Sequence, residues 1–269
     1  MKSKVEIHEN HVIKYNTNKF SSGIEKIIDL GISHKRELRI YNAYNPTLHK
    51  YIKIPKLYEA NNTYIKIERL YESKSPNSKK LEELIPFIRE FLLLGESVKK
   101  MRLSDFISSP AISVIRGSIY GFTNFGLVTM IKTYKSLFSL ALAKDKHKNN
   151  FLIHKDLKWN QNMMNTNRGL YFYDFGTTII TKKFFLLDVV GLSLDVGNKN
   201  FDINPSINLL KTLGFDHTYK RLARSQIRVL IMRVFLHLHP NTKKNKEYMS
   251  NVKEIIKNLD LYLEGLNFE

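Results

Sequence analysis

Apolar and polar residues alternate with a two-residue period along Val5-Glu-Ile-His and again along His11-Val-Ile-Lys-Tyr, with Glu9-Asn10 between them. Successive strand side chains point to opposite faces, so this pattern predicts a half-buried hairpin. The period then lengthens. Ser33-His-Lys-Arg-Glu-Leu-Arg-Ile-Tyr-Asn-Ala-Tyr reads as a helix with Ser33 at its N-cap and Leu38, Tyr41 and Ala43 or Tyr44 on its apolar face. Pro46 marks the loop beyond it. Residues 56–60 and 63–70 form a second strand pair around Asn61-Asn62. From Leu81 onward helical spacing dominates, in segments 81–94, 127–142, 219–238 and 252–266. Strand patterns return at Phe151-Leu-Ile, Asn162-Met-Met-Asn and Leu170-Tyr-Phe-Tyr, the last two joined by the turn Thr166-Asn-Arg-Gly. His237-Leu-His239 alternates as a strand would and lacks the helical spacing of a metal site.

The polar, Pro-punctuated stretch Tyr71-Glu-Ser-Lys-Ser-Pro76-Asn-Ser-Lys-Lys separates these two patterns. The expected organisation is therefore α+β: a small β-rich lobe over residues 1–70, a linker over 71–80, and a mainly helical lobe over 81–269. No internal repeat or low-complexity segment interrupts it. A chain of 269 residues can bury a large core. The absence of cysteine excludes disulfides, thiolate metal sites and a cysteine nucleophile.

Charge changes the picture more. The formal net charge is +18, an excess that favours anionic partners: nucleotide, nucleic acid, anionic lipid or a phosphorylated glycan. A genome biased toward Lys, Asn and Ile codons is the alternative source. No zinc-finger, RNA-recognition or helix-turn-helix signature is present, so nucleic-acid binding would rest on charge alone. The segment from His217 to Phe235 reads as a basic amphipathic helix, either docking on anionic lipid or an ordinary helix with a solvated basic face. Met1-Lys-Ser-Lys-Val-Glu-Ile-His lacks the apolar core of a signal peptide. Residues 119–131 form the longest apolar candidate, but they include Asn124 and fall short of the roughly 18–20 residues a bilayer span needs. The expected location is the cytoplasm, with peripheral contact at the inner membrane face compatible with the charge.

Two carboxylates, Asp156 and Asp174, stand eighteen residues apart, each following an apolar run that reads as a strand. Their settings are Phe151-Leu-Ile-His154-Lys-Asp156-Leu-Lys158-Trp-Asn160-Gln-Asn162-Met-Met and Tyr171-Phe-Tyr-Asp174-Phe175-Gly176. Together these segments resemble the catalytic loop and metal-binding loop of the protein-kinase-like superfamily, in its bacterial lipopolysaccharide/sugar kinase or aminoglycoside-phosphotransferase-like branch. The motifs span 151–194, and the order of elements extends the resemblance over nearly the whole chain.

The resemblance implies a bilobal protein-kinase-like fold and an ATP- and Mg-dependent phosphotransferase acting on a hydroxyl. Asp156 would orient the acceptor hydroxyl, His154 would brace the loop, and Lys158 would meet the transferring phosphoryl group. Asp174 would be the primary magnesium ligand. The family places an asparagine five residues after the catalytic aspartate, where this chain has Gln161. A one-residue insertion assigns the second metal ligand to Asn162, with Asn160 as the alternative. Asp188 looks like an aspartate that supports the catalytic loop, with Asp195 as the fallback; a simple helix N-cap fits Asp188 equally. In the small lobe, Lys14 would touch the phosphates and Glu37 would hold it, while Glu68-Arg-Leu70 would occupy the hinge beside the adenine. No Gly-rich loop precedes Lys14, which separates the chain from typical eukaryotic protein kinases. The implied acceptor is an anionic glycan or glycolipid, as in lipopolysaccharide biosynthesis. A serine/threonine protein kinase, supported by Lys158, and a noncatalytic pseudokinase or basic adaptor are the alternatives.

Overall fold

The structure, a computed structural model, describes residues 4–15, 32–73, 81–98, 105, 109–143, 150–157, 162–195, 202–215, 220–237 and 246–264. At the N-terminal end four strands form an antiparallel sheet: β1 (Val5–Ile7), β2 (His11–Tyr15), β3 (Leu57–Ala60) and β4 (Tyr64–Glu68), in the order β1-β2-β4-β3. Register runs from His11 opposite Glu68 to Tyr15 opposite Tyr64, so Lys14 stands beside Ile65. Helix α1 (Ile32–Ala43) turns His34, Glu37, Ile40 and Tyr41 inward, the spacing of one helical face. It already includes Ile32 and Ser33, so Ser33 is not the N-cap expected from the sequence.

The rest of the described chain is mainly helical. Helix α2 (Leu81–Leu93) buries Leu84, Ile85, Ile88, Phe91 and Leu92 at three- and four-residue spacing and runs into a 3-10 turn, Leu94–Ser97. Each such side chain contributes about 1.5–3 kcal/mol on burial. Helices α3 (Pro110–Arg116) and α4 (Ser118–Leu142) follow, then β5 (Phe151–Ile153), β6 (Met163–Thr166), β7 (Gly169–Phe172) and a 3-10 turn, Phe175–Thr177. Strand β8 (Ile179–Thr181) precedes α5 (Leu187–Asp195), α6 (Asn204–Thr212), α7 (Lys220–His237), α8 (Lys246–Lys257) and α9 (Leu259–Glu264).

Strands β6 and β7 form one antiparallel pair, and β5 pairs with β8 from Phe151–Thr181 to Ile153–Ile179. Strand β8, α3 and α6 carry too little periodicity in sequence to be read there. Gly95 lets the turn after α2 lie on β5: a Cβ there would sit 2.5 Å from both the Asn150 carbonyl oxygen and the Leu152 nitrogen. The N-terminal region is tied to the β6–β7 hairpin by backbone bonds, Phe172 N–H to Lys53 O at 2.8 Å and Ser73 N–H to Asn165 O at 2.9 Å.

Helix α7 corrects two expectations. Ala223, Ile227 and Val229 through Arg233 are buried, because α3, α4, α5 and α8 all pack against it. A helix enclosed in this way cannot lie on a lipid surface. His237 is its last residue rather than part of a strand; positions 238 and 239 lie outside the described residues. No helix among the described residues is long and apolar enough to cross a membrane.

Candidate active site

Strand β5 is buried along its whole length and delivers His154, itself buried, to a sharp turn. Lys155 takes φ 75° there, a left-handed conformation that non-glycine residues adopt at a cost of about 1–3 kcal/mol. Asp188, near the start of α5, holds the turn: its carboxylate accepts the backbone N–H of His154 at 2.7 Å and of Lys155 at 2.9 Å. As the second residue of α5 it is not an N-cap. Burial pushes the Asp188 carboxyl above its ordinary range, against the pull of His154, the two N–H groups and Arg233. Asp195 closes α5.

The His154 ring connects this turn to the second loop. Its Nε2 is 3.0 Å from the Tyr173 carbonyl oxygen; a carbonyl can only accept, so this nitrogen carries the proton. Thr177 returns a hydrogen bond from Oγ1 to the His154 carbonyl at 2.8 Å. Between Tyr173 and Thr177, Asp174 sits at φ 60°. It is the second of the two non-glycine residues with positive φ among the described residues, and a short carboxylate side chain tolerates that region better than most. Phe175 points inward and stacks on Phe91 at 5.9 Å, while Phe91 also stacks on Phe172 at 5.7 Å. Tyr41 of α1 meets Phe175 edge-on at 5.7 Å. One aromatic column thus joins α2, the β7 strand, the second loop and the helix of the small sheet.

Asn162 is buried immediately before β6. Its Nδ2 donates to the Asp156 carbonyl oxygen, and its own carbonyl accepts the Tyr173 N–H at 3.0 Å. The first bond fixes the Asp156 backbone and leaves the Asp156 side chain exposed; the second places Asn162 beside the residue preceding Asp174. Lys158, Asn160 and Gln161 lie outside the described residues.

The third element comes from the small sheet. Lys14 Nζ lies 2.8 Å from Glu37 Oε1 and 3.1 Å from Asp174 Oδ1. The Glu37 side chain is 6% exposed and the Lys14 side chain 16%, whereas Asp174 is 64% exposed. Burial acts to lower the Lys14 pKa, but the two carboxylates outweigh it and the net shift is upward. A group shifted this way contributes stability that is complete below its ordinary pKa and lost only as pH rises through the folded value. Lys14 therefore stays charged at neutral pH.

Glu68 is engaged differently from the hinge role expected of it. Its N–H donates to Lys56 O at 2.8 Å, and its carboxylate accepts the Lys56 N–H at 3.1 Å and pairs with Arg168 at 2.6 Å. Leu70 is half-buried two residues on.

Arg233 escaped the sequence reading. It is buried on α7, with Asp188 and Asp156 as its electrostatic partners. Burial lowers its pKa against the attraction of both. Its sequence signal is a lone arginine in the run Val229-Leu-Ile-Met-Arg233-Val. Among the described residues no three His, Asp or Glu side chains gather as a ready metal cluster; the Tyr173 N–H bond to the Asn162 carbonyl sets Asn162 against the residue that precedes Asp174.

No family model matches the sequence, and a search of curated proteins returns no match. Solved structures do share the fold. Wild-type aminoglycoside 2'-phosphotransferase-IIIa in its GDP complex aligns at TM-score 0.54 and 14% identity, over 97% of this chain and 89% of that one. A choline/ethanolamine kinase family protein from Mesorhizobium loti aligns at TM-score 0.56 and 12% identity, over 96% and 85%. The amicoumacin kinase hAmiN, in complex with AMP-PNP, Ca2+ and Ami, aligns at 0.54 and 12%, over 96% and 84%. The chain shares the bilobal, kinase-like α+β fold of these phosphotransferase and kinase structures.

Proposed function

We propose that this chain is an ATP- and Mg-dependent phosphotransferase that phosphorylates a hydroxyl of a bacterial glycan or lipopolysaccharide-type sugar. The observation that carries the reading is the convergence of Lys14, Glu37 and Asp174 from three elements, with 160 residues between Lys14 and Asp174. A buried carboxylate that holds a lysine, and a lysine that reaches an exposed carboxylate, suit a site for polyphosphate and its cation. Proteins of the same fold holding GDP, or AMP-PNP with Ca2+, support a nucleotide here.

In this reading Lys14, steadied by Glu37, orients the phosphates by charge. Asp174 and Asn162 present carboxylate and amide oxygens, the hard donors that magnesium accepts beside phosphate oxygens. When bound, magnesium would neutralise charge on the transferring group. The exposed Asp156 carboxylate positions the acceptor hydroxyl and receives its proton as the new oxygen–phosphorus bond forms and the bond to the leaving diphosphate breaks. Lys158 meets the transferring phosphoryl group, and His154 keeps the two loops in register. Because the Glu68 N–H and carboxylate are engaged, the backbone at Leu70 is the better hinge contact for adenine. The lobes divide within 71–80. A glycolipid acceptor would bring the protein to the inner membrane face.

Turnover of ATP with magnesium, and its loss in Asp174→Ala, tests the reaction. Transfer of labelled phosphate to a dephosphorylated glycan but not to peptides is the expected specificity. Transfer to peptides alone would make the chain a protein kinase. Neither nucleotide binding nor thermal stabilisation by ATP and magnesium would leave only the noncatalytic reading.

A further inference from the structure

Helix α4 is not one rod. Gly126 has φ 76° and ψ 169°, a conformation essentially confined to glycine, and there the chain folds back. Phe122 stacks on Tyr134 at 6.3 Å, Ser118 hydrogen-bonds the Tyr134 hydroxyl, and a Cβ on Gly121 would lie 2.6 Å from Met130 Sδ. In a straight helix Ser118 and Tyr134 would be about 24 Å apart. The element is a helical hairpin with Gly126 at its tip.

The tip is mostly apolar and uncovered. Leu127 is 63% and Val128 67% exposed just past Gly126, beside exposed Thr123 and Asn124, with Ile131 exposed on the returning leg and Ile119, 83% exposed, near the start of the first leg. The same face continues to Phe138 and Leu142, each 66% exposed, beside an open groove of about 860 Å3 between α4 and the start of α7. No residue from Gly117 to Ile131 carries a charge, and no acidic residue occurs from Pro110 to Leu142. Basic residues stand farther from the turn: Arg116 before the first leg and Lys135 midway along the second, both exposed, with exposed Lys132 paired to Asp260 and exposed Arg221 on the groove.

An uncharged, mostly apolar tip with basic residues behind it complements one surface in particular, a bilayer with apolar interior and anionic headgroups. We propose that the α4 hairpin is a membrane-docking element: its tip enters the headgroup–acyl boundary of an anionic bilayer while Arg116 and Lys135 meet lipid phosphates. The net charge of +18 draws the protein to such a surface. The docking stands apart from the phosphotransfer reading, because none of these residues belongs to the candidate active site.

Flotation of the full chain with vesicles of equal phosphatidylglycerol and phosphatidylcholine, against vesicles of phosphatidylcholine alone, tests it. The expected result is binding to the first set that weakens with salt. Ile119→Ser/Val128→Ser/Leu127→Ser should lower that binding at least tenfold, and Arg116→Glu/Lys135→Glu should lower it on the anionic vesicles by a similar factor. These sites are exposed, so the variants should keep the wild-type thermal midpoint and nucleotide affinity. Asp174→Asn should bind vesicles as the wild type does, whether or not phosphotransfer is found. Absence of wild-type vesicle binding, or undiminished binding by the triple variant, overturns the proposal. So does a concentration-dependent dimer in sedimentation velocity that the triple variant abolishes, since the tip would then belong to a second copy.

Discussion

Asp188 and Asp174 serve the same pair of loops from opposite environments. Asp188 is 2% exposed and spends its oxygens on two backbone N–H groups; the Asp174 side chain is 64% exposed and accepts a hydrogen bond from the tip of Lys14. One carboxylate builds the scaffold, and the other is presented by it. Burial raises the Asp188 pKa. A scaffold residue can bear it because Arg233 and the two N–H donors oppose the cost.

The sharpest way to break this contrast is Asp188→Ala. It would leave the buried His154 N–H and the partly buried Lys155 N–H without an acceptor, at about 1–3 kcal/mol each, and would remove one of the two carboxylates that offset the buried Arg233. The expected loss is about 3 kcal/mol or more in urea unfolding, together with any activity. Gly95→Ala comes next. Its Cβ would press on the β5 backbone that leads to His154, and overpacking of that kind costs about 1–3 kcal/mol, readable as a lowered thermal midpoint.

Asp260 offers a smaller, pH-dependent control outside the site. Its hydrogen bond from Lys132, with Arg228 beside it, lowers its pKa despite partial burial. A depressed carboxylate contributes stability above its unfolded pKa and loses it as pH falls through the folded value. Because the Asp260 side chain is 43% exposed, solvent screens the pair. Asp260→Asn should cost no more than about 1 kcal/mol at neutral pH, with the difference from wild type vanishing in acid. Asp174→Asn should change stability least, by under about 0.5 kcal/mol, yet lower the proposed turnover at least a hundredfold. A large stability loss in Asp174→Asn, or a small one in Asp188→Ala, would reverse the roles assigned to them.

Much of the site could be read from local pattern. His154, Asp156, Asn162 and Asp174 lie within twenty-one residues, so the resemblance to the two kinase-like loops singled them out without knowledge of distant elements. Lys14 and Glu37 were legible as a strand lysine and a helix glutamate, but not as partners of Asp174. Their meeting depends on α1 packing against the turn at Phe175–Thr177, a long-range contact. The Ser33 cap failed because helix boundaries depend on the chain before them. The sequence left α7 as either a lipid-docking helix or an ordinary packed one, because a basic amphipathic pattern looks the same whether its neighbours enclose it or not. Strand β8 was invisible for a related reason: three buried residues carry no alternation, and only β5 across the ladder makes them a strand.

Composition and periodicity thus specified most of the order of elements, the lack of thiol chemistry and the basic charge, and the resemblance picked out the two loops that hold the exposed carboxylates. Those features depend on neighbours a few residues apart, where chain geometry leaves few choices. The tertiary structure alone decided between Asp188 and Asp195 beside the first loop, that Arg233 faces Asp188, and that the α4 hairpin leaves its tip uncovered. Burial and ion pairing are properties of elements brought together across the chain, and no local pattern contains them.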